Sequence, residues 1–304
     1  MPAVTADPLP ASHTAALNQC MAQLAGRASL EVSAKSASAA ADCARWLAPG
    51  TEVFISMVPG QTYAQTIALA RALRAAGLVP IPHVTARGIA GIDMANEVFM
   101  RLAQAGVTRA LVLGGDRVPA HGAYGSALTL LESGAPARAG LERIYVSGYP
   151  ERHPAIADTV LADHLKCKLA WCQANGIGTA VITQFSFNAD CISAWLDRMT
   201  VQFPGTRVVI GVAGPAGAAT LLRYAALCGV RASMSMLARH AGKLLRVVAE
   251  SGPDDVVRAL AQRELAGAPP VGLHLFSFGG AGRTARWCHD MARNGQRDPH
   301  TAPL

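Results

Sequence analysis

The sequence predicts a closed (β/α)8 barrel, a TIM barrel with a parallel sheet, and three observations predict it. Eight short runs are mostly apolar, and most of them do not alternate, as expected of strands covered on both faces. A helix-forming stretch separates most successive runs. Most runs close on a polar residue that a buried strand does not choose, and in a parallel barrel those strand ends converge on one mouth. The 304 residues, 51% hydrophobic and 15% charged, suit one well-buried domain of this kind. A doubly wound open sheet is the competing architecture, but no GxGxxG turn follows the first strand.

Taken in order, the strands read Ser29–Ser33, Glu52–Met57, Val79–Thr85, Arg109–Leu113, Arg143–Gly148, Thr179–Gln184, Arg207–Val212 and Val271–Phe276. The fourth and sixth carry the pattern most plainly, as Leu111-Val112-Leu113 followed by Gly114-Gly115-Asp116 and Ala180-Val181-Ile182-Thr183-Gln184. Helices are expected over Tyr63–Ala76, Ile92–Ala105, Tyr124–Glu132, Leu161–Asn175, Cys191–Met199 and Ala216–Cys228. Several stop at a glycine suited to a left-handed C-terminal cap, as at Ala76-Gly77, Ala105-Gly106 and Asn175-Gly176. Met234–Gly267 reads as extra helix before the last strand. The domain is expected to span 19–293, between disordered tails at 1–18 and 294–304.

A net charge of +7 raises the question of nucleic acid. Lysine and arginine are dispersed, with no run of five and no alternation with aromatics, which argues against that partner. A basic mouth that attracts anionic ligands remains open. Seven cysteines without a CxxC pair read as free thiols in a reducing compartment. No secretory leader and no membrane-length apolar stretch is seen, so a cytoplasmic, membrane-free protein is expected. No HExxH or GxSxG motif appears, and no metal is expected; a polar, metal-free mouth points to an organic cofactor.

Single residues leave alternatives. Glu31, between Leu30 and Val32 on the first strand, is either an inward carboxyl whose pKa burial raises toward acid catalysis, or an exposed glutamate. Asp116 is either a fixed charge beside a ligand or a turn residue. His83 has the pattern of a core histidine. Gln184 offers an amide to a heterocycle edge or to a neighbouring loop. Lys168, beside Lys166, reads as part of a solvated helix face. Tyr149-Pro150-Glu151-Arg152-His153-Pro154 gathers too many polar functions between two prolines for structure alone.

Together these segments resemble the flavin-dependent 5,10-methylenetetrahydrofolate reductases, from about Ser29 to Phe278. Ser29-Leu30-Glu31-Val32 resembles their opening strand, Pro82-His83-Val84-Thr85 their Pro-His-Leu-Thr, and Leu113-Gly114-Gly115-Asp116 their Arg-Gly-Asp turn. Gly148–Pro154 is similar to their Tyr-Pro-Glu-x-His-Pro loop, Ile182-Thr183-Gln184-Phe185 to their Ile-Thr-Gln-Phe, and Leu273-His274-Leu275-Phe276 to their final His-Phe-Tyr strand.

The resemblance implies FAD at the mouth, a folate substrate, and NADH or NADPH as electron donor. It implies that Glu31 protonates folate N10 and Asp116 stabilises the resulting iminium. Gln184, Phe187 and Arg283 are implied to bind the folate. Ser56, His83, Thr85, Gly115, Asp116, Tyr124, Gly125, Tyr149, His153, His164 and Lys168 are implied to hold FAD. A homo-oligomer is expected. Departures from the family pattern are Gly114 and Gly280 in place of arginines, and Phe185-Ser186-Phe187-Asn188 in place of Phe-Phe-Phe-Asp. Two other readings stand beside the reductase: a paralogue oxidising methyltetrahydrofolate, and a folate- or flavin-binding partner subunit without its own catalysis. A folate-dependent methyl-transfer barrel without flavin is a further one.

Overall fold

Valine, isoleucine and leucine crowd the eight apolar runs because each strand is sandwiched between the barrel interior and a helix. The computed structural model describes residues 11–116, 122–228, 230 and 253–294. The strands are β1 (Ser29–Ser33), β2 (Glu52–Ser56), β3 (Val79–Thr85), β4 (Arg109–Leu113), β5 (Arg143–Gly148), β6 (Gly178–Thr183), β7 (Arg207–Ala213) and β8 (Gly272–Phe276). They close in sequence order, each parallel to its neighbours, with β8 paired to β1 through Ser29–His274 and Glu31–Phe276. All C-terminal strand ends therefore open on one mouth.

Among the described residues the helices are α1 (Ala11–Gly26), α2 (Ala39–Trp46), α3 (Tyr63–Ala75), α4 (Ile92–Gln104), α5 (Ala127–Glu132) and α6 (Ala135–Arg138), followed by α7 (Asp158–Ala174), α8 (Ala189–Gln202), α9 (Ala218–Leu227), α10 (Asp254–Leu265) and α11 (Ala281–Asn294). Local sequence chemistry sets several ends. Thr62 and Gln65 form a reciprocal capping box at α3, and Asn188 accepts two backbone N–H groups at the start of α8. Gly77, Gly106 and Gly176 take φ of 78°, 73° and 67° just past α3, α4 and α7, as their place in the sequence implies.

Two apolar compartments result. One lies between strands and helices. The other fills the barrel with Phe54, Ile81, Leu111, Tyr145, Ala180, Ile182 and Val209. Below that plug, at the N-terminal strand ends, Glu52 pairs with Arg109, and Arg143 and Arg207 each come to 4.0 Å. The Tyr145 hydroxyl also reaches both Glu52 oxygens, at 2.7 and 2.8 Å. Burial and the Glu52 carboxylate push the Tyr145 phenol up.

Some expectations are corrected. Residues 11–18, assigned to a tail, are the front of α1, which buries Leu17, Met21 and Leu24. Asn294 closes α11, while 1–10 and 295–304 lie outside the described residues. The Tyr124–Glu132 helix starts at Ala127, because Ser126 caps it and Tyr124 belongs to the preceding loop. Of Met234–Gly267, α10 accounts for Asp254–Leu265, and 234–252 fall outside the described residues.

Candidate active site

Alternation along β1 sends Leu30 and Val32 outward into the helix layer and Ser29 and Glu31 inward. The same parity on β3 and β8 turns His83 and His274 inward. Glu31 Oε2 then lies 3.4 Å from His83 Nε2 and 3.9 Å from His274 Nε2. Both imidazole Nε2 atoms are buried without a hydrogen-bond partner. Behind His274, Ser29 Oγ is 2.9 Å from Nδ1 and donates to the Leu273 carbonyl. Phe54 meets both imidazole rings edge-on and forms the floor of the group.

This setting corrects the expected ionisation of Glu31. Burial alone raises its carboxyl, but the facing His83, His274 and Ser56 outweigh it and hold it below the usual glutamate range. Burial acts in the opposite sense on His83 and is the larger influence there. It holds the imidazole below its ordinary value against the attraction of Glu31.

The other candidates come from further strand ends. Ser56 closes β2 and donates to the Val32 carbonyl at 3.0 Å. Thr85 closes β3 beneath Gly115, whose φ of 85° and missing Cβ allow the β4 turn to settle on it; a Cβ there would lie 2.9 Å from Thr85 Cβ. Arg87 braces this turn by donating to the carbonyls of Gly115 and Gly125, at 2.9 and 3.0 Å. Asp116 follows Gly115 and is exposed. Tyr124 is buried and Gly125 exposed, with open space where a Cβ would stand.

After β5, Tyr149 and His153 pack edge to face at 5.1 Å. The loop turns through Arg152 at φ 69° and is tied down by Ser186, which donates to Glu151 at 2.6 Å. Burial pushes the Tyr149 phenol up and the His153 imidazole down. On α7, His164 is exposed but Lys168 is 8% exposed, which overturns the solvated-face reading. Its burial pushes the ammonium down to about 8.

Gln184 sits just past β6, and its Oε1 accepts from the Phe185 N–H at 3.0 Å. Phe187 meets Phe185, which also touches Phe276 and Phe278; Tyr224 stacks on Phe278 at 4.1 Å. Arg283 lies in the first turn of α11, the helix that follows β8. The fold thus gathers Glu31, Ser56, His83, Thr85, Gly115, Asp116, Tyr149 and Gln184 around one mouth.

Sequence reading does not single out Ser29, Arg87 or the Tyr224–Phe278 stack. Ser29 and His274 lie inside recognisable motifs, and their inward parity is the signal that could have found them. Among the described residues no three His, Cys, Asp or Glu side chains form a metal centre, and no helix is long and apolar enough to cross a membrane.

A family profile described as Methylenetetrahydrofolate reductase matches residues 44–245. Among solved structures, a Clostridium thermocellum protein described as binding two copies of 5-methyl-5,6,7,8-tetrahydrofolic acid is 13% identical, with 91% of this chain and 98% of that chain covered at a TM-score of 0.58. A dihydropteroate synthase from Thermus thermophilus is 15% identical, with 88% and 92% covered at a TM-score of 0.46.

Proposed function

The chain belongs to the methylenetetrahydrofolate reductase family, and from that premise we propose that it is a flavin-dependent oxidoreductase interconverting 5,10-methylene- and 5-methyltetrahydrofolate. The observation that carries this reading is Glu31, an inward carboxylate at the mouth, faced by two buried imidazoles. The Clostridium thermocellum barrel, described as binding methyltetrahydrofolate, supports a folate ligand for this architecture.

The residues present fit FAD. Lys168 is a buried cation whose ammonium has no ion pair among the described residues, the condition for receiving a phosphate. Gly125 leaves open space for close backbone approach. Tyr149 and His153 offer an aromatic edge with polar tips, and Ser56, His83, Thr85, Gly115, Tyr124 and His164 complete the donor set. When bound, flavin supplies hydride transfer at N5.

Each side chain has a stated task. Glu31, which its neighbours hold ionised at rest, passes a proton taken up from the mouth on to folate N10, so that the five-membered ring opens to an iminium. Asp116 offsets the positive charge of that iminium, and Gln184 presents its amide to the pterin edge. Phe187 packs on the ligand, and Arg283 serves its anionic tail. The same residues serve the reverse direction by microscopic reversibility.

The test begins with the visible spectrum of the purified chain, then assays both directions with NADH, NADPH and an artificial acceptor. Glu31→Gln is expected to lower turnover by about 10²- to 10⁴-fold, the usual span for a general acid, with folate affinity retained. A colourless protein, or no turnover in either direction, overturns the proposal.

A further inference from the structure

Alternation fixes what stands at the base of the barrel, opposite the mouth. Phe54, Ile81, Leu111, Tyr145, Ala180 and Val209 point inward as the apolar plug, so the residues two positions before them face inward as well. These are Glu52, Val79, Arg109, Arg143, Gly178 and Arg207, on β2 through β7 in order. Barrels commonly fill their inner layers with branched aliphatic side chains. In this layer three guanidiniums and one carboxylate take that place, and the strand between Arg143 and Arg207 contributes a glycine.

Arg109 and Arg143 are register partners on neighbouring strands, and like charges set side by side repel. Glu52 answers only part of that repulsion. It pairs closely with Arg109, while Arg143 and Arg207 stop at 4.0 Å, too far for a hydrogen bond. Arg143 otherwise meets the Tyr145 hydroxyl, and that phenol stays protonated because burial and Glu52 push its pKa up. Arg207 donates no side-chain hydrogen bond among the described residues, and no other carboxylate among them pairs with the three guanidiniums. Three cations against one anion leave a surplus of two positive charges. The side chains of Arg143 and Arg207 are 31% and 51% exposed, so a solute reaches both. Gly178 is itself exposed, and a Cβ on it would stand 3.7 Å from Arg143 Nε. Glycine leaves that flank of the guanidinium uncovered.

We propose that the base of the barrel is an anion-binding site, in which Arg143 and Arg207 grip a phosphate or a phosphate monoester across Gly178 while Arg109 stays with Glu52. A planar guanidinium fork matches a pair of oxygens on a tetrahedral oxyanion, and two forks match its two charges. An anion held there joins β5 to β7 and stabilises the closed ring. The site lies at the far end of the strands from the mouth and does not depend on the folate reading.

The experiment follows the thermal midpoint and the heat of binding of the full-length chain with inorganic phosphate or glycerol 3-phosphate, against chloride at equal ionic strength. At least one of the two is expected to bind saturably and to raise the midpoint by about 2–4 °C at tenfold excess over its Kd. Arg207→Ala and Arg143→Ala are each expected to weaken binding by about tenfold or more, the worth of a hydrogen bond to a charged group. Arg207 is half exposed, so its variant keeps the test open should Arg143→Ala not fold. Glu52→Gln removes the competing carboxylate and keeps its shape. It is expected to tighten binding several-fold even as it lowers the midpoint of the ligand-free chain, whereas a purely structural cluster would lose stability and gain no affinity. Lys168→Gln, or saturating FAD, excludes phosphate entering at the mouth and is expected to leave the response in place. The site is overturned by a response no greater than that to chloride, or by one unchanged in both arginine variants. A response lost in Lys168→Gln and kept in Arg207→Ala overturns it too. Folate turnover plays no part in these readouts, so the reductase reading can fail with the site intact, and the reverse.

Discussion

At the scale of single residues, the mouth is governed by groups whose ionisation burial opposes. His83 is held below its ordinary value, so the unfolded chain binds the proton more readily than the folded one. Stability is therefore lost as pH falls from the ordinary histidine value, about 6.5, toward the lowered one. Glu31 is lowered too; its contribution is present above the ordinary carboxylate value and fades as pH falls through the lowered one. Thermal midpoints measured against pH should decline in both windows, and His83→Gln should lessen the decline in the upper one, leaving the part that the lowered His153 contributes. Sequence reading placed Glu31 and His83 correctly on their strands but not their charge states. Those depend on His274, at the far end of the chain from Glu31, and on how much water the barrel admits.

At the scale of elements, two polar clusters hold opposite ends of the barrel. Ser186, at a position where the family carries phenylalanine, ties the β6–α8 loop to Glu151 of the β5–α7 loop at 2.6 Å. On the flavin reading proposed above, Ser186→Ala should release the loop that carries Tyr149 and His153, lowering FAD affinity several-fold with a thermal midpoint within a few degrees of the parent. A hydrogen bond to a carboxylate is worth about 1.5–3 kcal/mol; isothermal titration with FAD reads the change. At the other end, Glu52 is the common partner of Arg109, Arg143, Arg207 and Tyr145. Glu52→Ala should destabilise by about 2–3 kcal/mol in urea unfolding. That is less than a fully buried pair would lose, because the guanidiniums keep some water.

At the scale of the molecule, closure of the barrel leaves no free strand edge, and α1 seals the outside between α10 and α11. Removing residues 1–26 should expose the surface that Leu17, Met21 and Leu24 cover, at about 1.5–3 kcal/mol for each large side chain, and give a chain that aggregates or unfolds at lower urea. Size-exclusion chromatography and urea titration check this. The architecture was legible in the sequence because period and composition are local. Strands β1, β3, β4 and β5 begin and end where their apolar runs do, and the other four differ by one residue at an end or at both. α1 was missed although Leu17, Met21 and Leu24 recur at helical spacing, because Pro-rich residues before it suggested a tail. α2, eight residues of mostly alanine and polar side chains, carries too little periodicity to declare itself. By itself the sequence determined the barrel and the strands that build it, since apolar runs and the helices between them are local features of the chain. Only the tertiary structure decided that Lys168 is buried, that Asp116 is exposed, and that two imidazoles confront Glu31. Burial and charge are sums over neighbours brought from all around the ring, and no stretch of chain contains that sum.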